Sequence, residues 1–172
     1  MLRNALRFWM MSMVLISTLK ASTDRPLESI SHVSLEQYLG KWYEIARYEN
    51  SFEKGCVGAT AEYTMDEKHL RIINRCYDAK GAKLDEANGR GYPVENSGNA
   101  KLRVTFFWPF YGDYWIVKLA PDYRYAVVGE PSRKYLWILA REKTLSQEDT
   151  EAILASLPTL GYDTSLLYWT QN

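Results

Sequence analysis

Two cysteines and two histidines are all that 172 residues contain of either type. A closed tetrahedral metal site needs about four nitrogen or sulfur ligands. Here that would take Cys56, Cys76, His32 and His69 together, with His69 at the far end of a hairpin from the cysteines. No metal and no cofactor is expected. The same scarcity leaves no evident pairing of nucleophile with base, so no catalytic residue is assigned. Charge of one sign is missing too, with 21 basic residues against 21 acidic ones. That balance excludes a nucleic-acid surface and a polybasic patch for lipid head groups.

No run of about 20 apolar residues occurs, the length that crosses a bilayer as a helix. The nearest approach is Phe8–Ile16, which follows Arg3 and Arg7 and precedes Ser17, Thr18 and Ala21. A basic start, a short apolar stretch and small residues read as a secretory signal over residues 1–21. An N-terminal helix lying in a membrane interface is the competing reading. Removing residues 1–21 leaves 18 basic against 21 acidic residues. In an exported protein two cysteines suggest a disulfide, against two free thiols or a metal pair. A hairpin turning at Met65–Lys68 would bring Cys56 and Cys76 opposite each other, or nearly so.

What the chain has in plenty is aromatic residues: 13 Tyr and 6 Trp within an aromatic share of 14%. Such side chains suit surfaces that are part apolar and part wet. After a polar linker over 22–31, a single domain over 32–172 reads as a helical turn (Ser34–Leu39) and then strands of period two. These are expected at Trp42–Tyr48, Val57–Tyr63, His69–Tyr77, Lys83–Tyr92, Leu102–Phe106, Tyr114–Leu119, Tyr125–Gly129 and Tyr135–Ala140. With no helices between them, they predict an all-β, antiparallel sheet, either a barrel or a sandwich. Eight such strands close into an up-and-down barrel whose interior holds one small ligand. The period then changes. Ser146 caps a helix with Asp149 three residues on. Ile153, Leu157 and Leu160 give it one apolar stripe, with Leu154 beside them, and Gly161 stops it. A helix with one apolar stripe belongs outside the barrel, before a final short strand at Thr164–Trp169.

Parity along the strands sorts the faces. Val57, Ala59, Ala61 and Tyr63 share one, with Gly58, Thr60 and Glu62 opposite, and the small residues Gly58, Ala59 and Ala61 leave space. Leu102, Val104 and Phe106 share a face, as do Tyr114, Ile116 and Lys118. Trp137, Leu139 and Arg141 share one, while Leu136, Ile138 and Ala140 form a second apolar face on the same strand. A filled core would show similar alternation.

Three segments occur in order: Gly40-Lys41-Trp42-Tyr43, Pro121-Asp122-Tyr123 and Ile138-Leu139-Ala140-Arg141. Together they resemble the three signature segments of the lipocalins, and the similarity runs from about His32 to the C-terminus. The resemblance implies a ligand cavity. Expected to line it are Tyr63, Ile72, Asn74, Leu102, Val104, Phe106, Tyr114, Ile116, Trp137 and Leu139, with Trp137 matching a pocket Trp of the family. It assigns Gly40, Trp42, Tyr43, Asp122, Tyr123 and Arg141 to structure, with Arg141 packed across Trp42 at the closed end. Bacterial members usually carry a lipidated Cys just after the leader. No Cys precedes Cys56, so an unanchored protein is expected, periplasmic or secreted, with outer-membrane association left open.

The implied function is a carrier of fatty acids or lysophospholipids in envelope lipid maintenance. Asn74, Tyr63 and Tyr114 are placed to hydrogen-bond a head group. An enzyme on the same fold, acting on a hydrophobic substrate, is the alternative. An integral outer-membrane barrel fits less well, since charges fall on both kinds of face. The stretch Phe107-Trp108-Pro109-Phe110-Tyr111-Gly112 has no inward parity. It reads as a hydrophobic lip for ligand chains, a membrane surface or a homodimer partner, unless it packs under its own loop.

Overall fold

A computed structural model describes residues 25–172. The expected leader over 1–21 lies outside the described residues. Nine strands form one antiparallel sheet: β1 Gly40–Tyr48, β2 Gly58–Asp66, β3 His69–Tyr77, β4 Lys83–Pro93, β5 Lys101–Phe107, β6 Phe110–Leu119, β7 Tyr125–Gly129, β8 Leu136–Ala140 and β9 Leu167–Trp169. Strands β2 to β8 follow in order, and β1 pairs with both β8 and β2, which closes the expected eight-stranded barrel. The short β9 runs along Ala46–Tyr48 outside the closed ring, where β2 no longer covers β1. Closure leaves only this short edge to be managed.

Each strand turns alternate side chains inward, and of the four register shifts in the sheet two redirect charged residues. In β1 the register against β8 shifts between Glu44 and Ala46. Ile45 and Ala46 therefore both join the outer core, and the facing pairs Glu44–Leu139 and Arg47–Trp137 turn inward. In β6 the register shifts between Ile116 and Lys118. Lys118 consequently leaves the face of Tyr114 and Ile116 that simple parity gives it, and its Nζ donates to the Ala152 carbonyl at 3.1 Å on the outside. A bulge places one extra residue, which no period-two reading detects. Gly58 also faces outward, against the Gln171 carbonyl, so its small size makes room for the C-terminal segment and not for a cavity.

Helix α2, Gln147–Ser156, is capped by Ser146, whose hydroxyl accepts from the Asp149 N–H. Ile153 and Leu157 bury the stripe against Ile45, Val127, Leu136 and Ile138, so β8 is apolar on both faces because it separates two cores. The helix stops at Ser156, earlier than Gly161, because Pro158 begins a 3-10 turn over Pro158–Leu160. Proline lacks an N–H and its ring obstructs the preceding helical turn. Gly161, at φ 83°, ends that turn instead. The final strand is likewise shorter than expected, since Thr164–Leu166 is a 3-10 turn. Part of the supposed linker packs on the barrel, with Leu27 buried in the outer core and the Ile30 N–H bonded to the Ile116 carbonyl at 2.9 Å.

One end of the barrel is shut. Helix α1, Leu35–Tyr38, is capped by Ser34 and followed by Gly40 at φ 93°, a conformation that glycine adopts without a Cβ penalty. That turn drives Trp42 into the barrel floor, fully buried, with its indole N–H donating to the Tyr38 carbonyl at 2.9 Å. Arg141 covers it: the guanidinium stands 3.8 Å from the Trp42 ring and donates to the carbonyls of Gln37 (2.6 Å) and Lys41 (3.0 Å). The Tyr123 hydroxyl accepts from the Ser34 N–H at 2.9 Å, while Asp122 pairs with Arg124 at 3.0 Å. Tyr43 points the other way, against the outer core and under the Lys41 ammonium.

At the open end Cys56 and Cys76 form a disulfide. They are not opposite each other in the ladder. Cys76 faces Ala59, and Cys56 lies just ahead of β2, so the bond fastens the β1–β2 loop to β3. It spans 20 residues of sequence, for which chain entropy gives about 3 kcal/mol. Non-reducing peptide mapping should yield the linked pair, and Cys56→Ala with Cys76→Ala should cost about 3 kcal/mol in denaturant unfolding. Arg141→Ala should lower the melting temperature by roughly 5–10 °C, from three lost hydrogen bonds, to the carbonyls of Gln37, Lys41 and Tyr123, and the cation–π contact. Calorimetry on the folded variant checks this, with ligand affinity expected to stay near that of the parent.

Candidate functional site

The inward-facing residues divide into a packed floor and an open upper half. Tyr63, Ile72, Leu102, Ile116 and Leu139 lie at 0–4% exposure among Trp42, Leu70 and Val128. Five of the residues expected to line a cavity are thus the solid base on which a ligand would rest. Above them Val104, Tyr114 and Trp137 are half-buried, whereas Phe106 and Asn74 are exposed although their strand faces turn inward. The Phe106 ring lies directly over Gly89, where any Cβ would collide with it. The glycine lets an aromatic ring lie flat along the wall.

The floor carries one polar cluster. The Tyr114 hydroxyl sits 2.7 Å from that of Tyr38 and 2.8 Å from that of Tyr63. Three phenols bring three hydroxyl protons to two hydrogen bonds, so one proton is left to donate elsewhere. Burial raises all three phenols: Tyr63 to about 12, and Tyr38 and Tyr114 well above the ordinary value. They stay neutral at physiological pH, which suits a wall that must hold an apolar chain beside a single donor. Tyr38 was not among the expected lining residues, because its short helix lies outside the strand alternation.

A second cluster occupies the mouth. Arg47, 4% exposed, donates from Nη1 to Glu44 at 2.6 Å and from Nη2 to the Cys56 carbonyl at 2.8 Å. Its guanidinium lies 4.5 Å from the ring of Tyr168. Glu53, from a 3-10 turn over Ser51–Glu53, accepts from the Trp137 indole N–H at 3.1 Å. Burial, and then the charge of Glu53, hold the Glu44 carboxyl well above its ordinary range despite Arg47. Glu44 shares the inward parity of Trp42, whereas Arg47 and Glu53 are not legible as inward, because the β1 bulge and the β1–β2 loop decide where they point. A cavity of about 270 Å³ opens beside the cluster, lined by Arg47, Asn50, Glu53, Cys56 and Tyr168 among others. Among the described residues, no three His, Cys, Asp or Glu side chains are grouped to hold a metal ion.

The rim is apolar. The β5–β6 hairpin continues to a Phe107–Phe110 pair and turns at Trp108–Pro109, so the stretch expected as a loop is mostly strand. Phe107, Trp108 and Phe110 are 70–77% exposed and do not pack beneath their own turn. Phe52 of the β1–β2 loop is exposed at the same end, its ring 5.3 Å from that of Tyr135. The outer wall is polar by contrast, where Arg75 bridges Glu62 (2.8 Å) and Glu86 (2.9 Å) across β2, β3 and β4. A barrel exposed to lipid would carry an apolar band there.

Known proteins share this arrangement. Residues 33–172 match the family model described as a lipocalin-like domain. The chain is 38% identical over 149 residues to the outer membrane lipoprotein Blc of Escherichia coli K12, covering 86% of this chain and 84% of that protein. It is 35% identical over 138 residues to apolipoprotein D of Macaca fascicularis, covering 74% and 70%. Among solved structures, insecticyanin of the tobacco hornworm Manduca sexta superposes with a TM-score of 0.70 over 85% of this chain and 84% of its own, at 21% identity.

The buried phenols set an alkaline limit on stability. Their folded values lie above the ordinary value of 10, with Tyr63 at about 12. Above pH 10 the unfolded chain loses phenolic protons that the folded chain retains, so unfolding becomes easier as pH rises. Stability should therefore be level up to about pH 9 and fall between about pH 10 and 12. Urea unfolding across that range checks the sign, and Tyr63→Phe should flatten the slope.

Proposed function

The chain belongs to the lipocalin family, and we propose that it is a non-enzymatic protein that takes up amphiphilic lipids, fatty acids or lysophospholipids, in its barrel. The observation that carries this reading is the two-level interior. A dense apolar floor with one spare hydroxyl donor lies beneath an open half in which Val104, Phe106 and Trp137 present apolar surface that the protein itself leaves uncovered. Covering such surface with an acyl chain gains about 0.8 kcal/mol per CH₂, against the cost of ordering the ligand. Asn74, exposed on an inward face, supplies an amide to an ester or a head group.

The bacterial relative is an outer membrane lipoprotein, which supports an exported protein. We place the chain in the periplasm or outside the cell, in the upkeep of envelope lipids. The exposed lip of Phe107, Trp108 and Phe110 stands at the barrel mouth, where a membrane surface or a second copy would meet a ligand in transit. The alternative, an enzyme on this fold, has little to draw on in thiol chemistry, since both cysteines are in the disulfide.

Titration with lysophospholipid, followed by intrinsic fluorescence and calorimetry, tests the reading. Binding tighter than about 100 μM, roughly −5.5 kcal/mol, is expected. Trp137→Ala should weaken it by roughly 1–3 kcal/mol through lost buried contact while leaving a folded barrel. A parent that binds no amphiphile in this range, or a variant that binds as the parent does, would overturn the carrier.

A further inference from the structure

The charged residues at the mouth are arranged in a way that holding a loop does not require. Arg47 is almost completely buried, yet its Nε has no hydrogen-bond partner. The nearest oxygen recorded for it is Oε2 of Glu53 at 3.8 Å, too long for a hydrogen bond. That same oxygen accepts from the indole N–H of Trp137 and from the side-chain amide of Asn50. The indole N–H of β8 thus donates to one carboxylate oxygen, and the unpaired Arg47 Nε–H of the neighbouring β1 lies near the same oxygen at the mouth of the barrel. A buried guanidinium N–H without a partner beside a half-buried indole donor describes an anion site.

We propose that Glu53 is a built-in occupant of an anion site formed by Arg47 Nε–H and Trp137 Nε1–H, and that the acidic head group of a bound amphiphile takes its place. The inference rests on the carrier reading and adds the class of ligand: a single-chain lipid with its tail toward the floor and an anionic oxygen at the mouth. Three features of the structure support the exchange. The Glu53 side chain is 19% exposed, so it reaches water by rotating its own torsions while the loop stays fastened by the disulfide. The 3-10 turn is held independently, by the Asn50 side chain accepting from the Glu53 N–H at 3.0 Å, and that bond survives when the carboxylate leaves. Glu44, the other carboxyl on Arg47, is the one whose charged form is disfavoured by burial. The Glu53 position therefore adds a second anionic partner to a guanidinium that already donates to Glu44. With Glu53 in place a neutral head group gains nothing from Arg47, whereas an anion replaces like with like and adds its own tail contacts.

The test compares two probes of equal chain length, dodecanoate and 1-dodecanol, on the full chain as the parent, Glu53→Gln, and Glu53→Gln combined with Trp137→Phe. Isothermal titration reads each affinity. Glu53→Gln keeps the shape and removes the competing charge. It should raise the ratio of dodecanoate to dodecanol affinity on the order of tenfold, the scale of one charge-assisted hydrogen bond. Adding Trp137→Phe, which deletes the indole donor but keeps an aromatic ring, should return the ratio toward that of the parent. An unchanged or lowered ratio in Glu53→Gln, with dodecanol still bound by the parent, overturns the anion site and leaves the carrier reading standing. Binding of neither probe by any of the three proteins overturns both.

Discussion

Arg141 over Trp42 is the contact on which the rest depends. One guanidinium joins the end of β8 to the start of β1 and to the carbonyls of α1, and its face covers the indole that fills the barrel floor. A barrel of eight strands has two mouths, and a container needs one of them closed. Closure by a loop alone would leave buried backbone groups without partners. Here the carbonyls of Gln37, Tyr38 and Lys41 all have side-chain donors, two from Arg141 and one from Trp42. The closed end is therefore held shut, and the interior opens at the other.

From that floor upward the interior grows steadily less complete. Near Trp42 the side chains fill all space, as in any protein core. At the level of Tyr114 three phenols share two hydrogen bonds. Higher still, Phe106, Asn74 and Trp137 have inward directions and incomplete cover. The inward positions Gly89 and Gly91 of β4 carry no side chain, and their neighbours Ile72, Leu70, Leu102 and Phe106 on β3 and β5 supply the filling there. The outer core under α2 shows no such gradient, and Ile153 and Leu157 seal it.

The mouth is governed by electrostatics more than by packing. Two carboxyls, one guanidinium and one indole N–H meet within a shell largely removed from water. Bringing an unpaired charge to such a place costs several kcal/mol, so every occupant must be matched. A chain that serves only apolar ligands has little use for this group. Its position between the aromatic rim and the apolar interior is where an amphiphile changes character along its own length.

The alternating strands, the barrel, the helix outside it and the disulfide partners were all legible in the residues, because each rests on local pattern: period two in Leu102–Phe106, a capping box at Ser146, and a single pair of cysteines. The directions of Leu139 and Trp137 followed from the same alternation. What tertiary structure alone decided are the places where local pattern is interrupted or where distant segments meet. A bulge after Glu44 turned Arg47 inward, and another after Ile116 turned Lys118 outward. Pro158, not Gly161, set the end of α2. Tyr38 and Glu53 reach the interior from a turn and a loop, where side-chain direction has no period to read. Whether an inward residue packs as floor or stays open as wall depended on the strand facing it, as Gly89 beneath Phe106 shows. Sequence determines which face a regular strand buries, since that is a property of one chain segment. Only the folded barrel determines how much of that face remains uncovered, because that is a property of the space between segments.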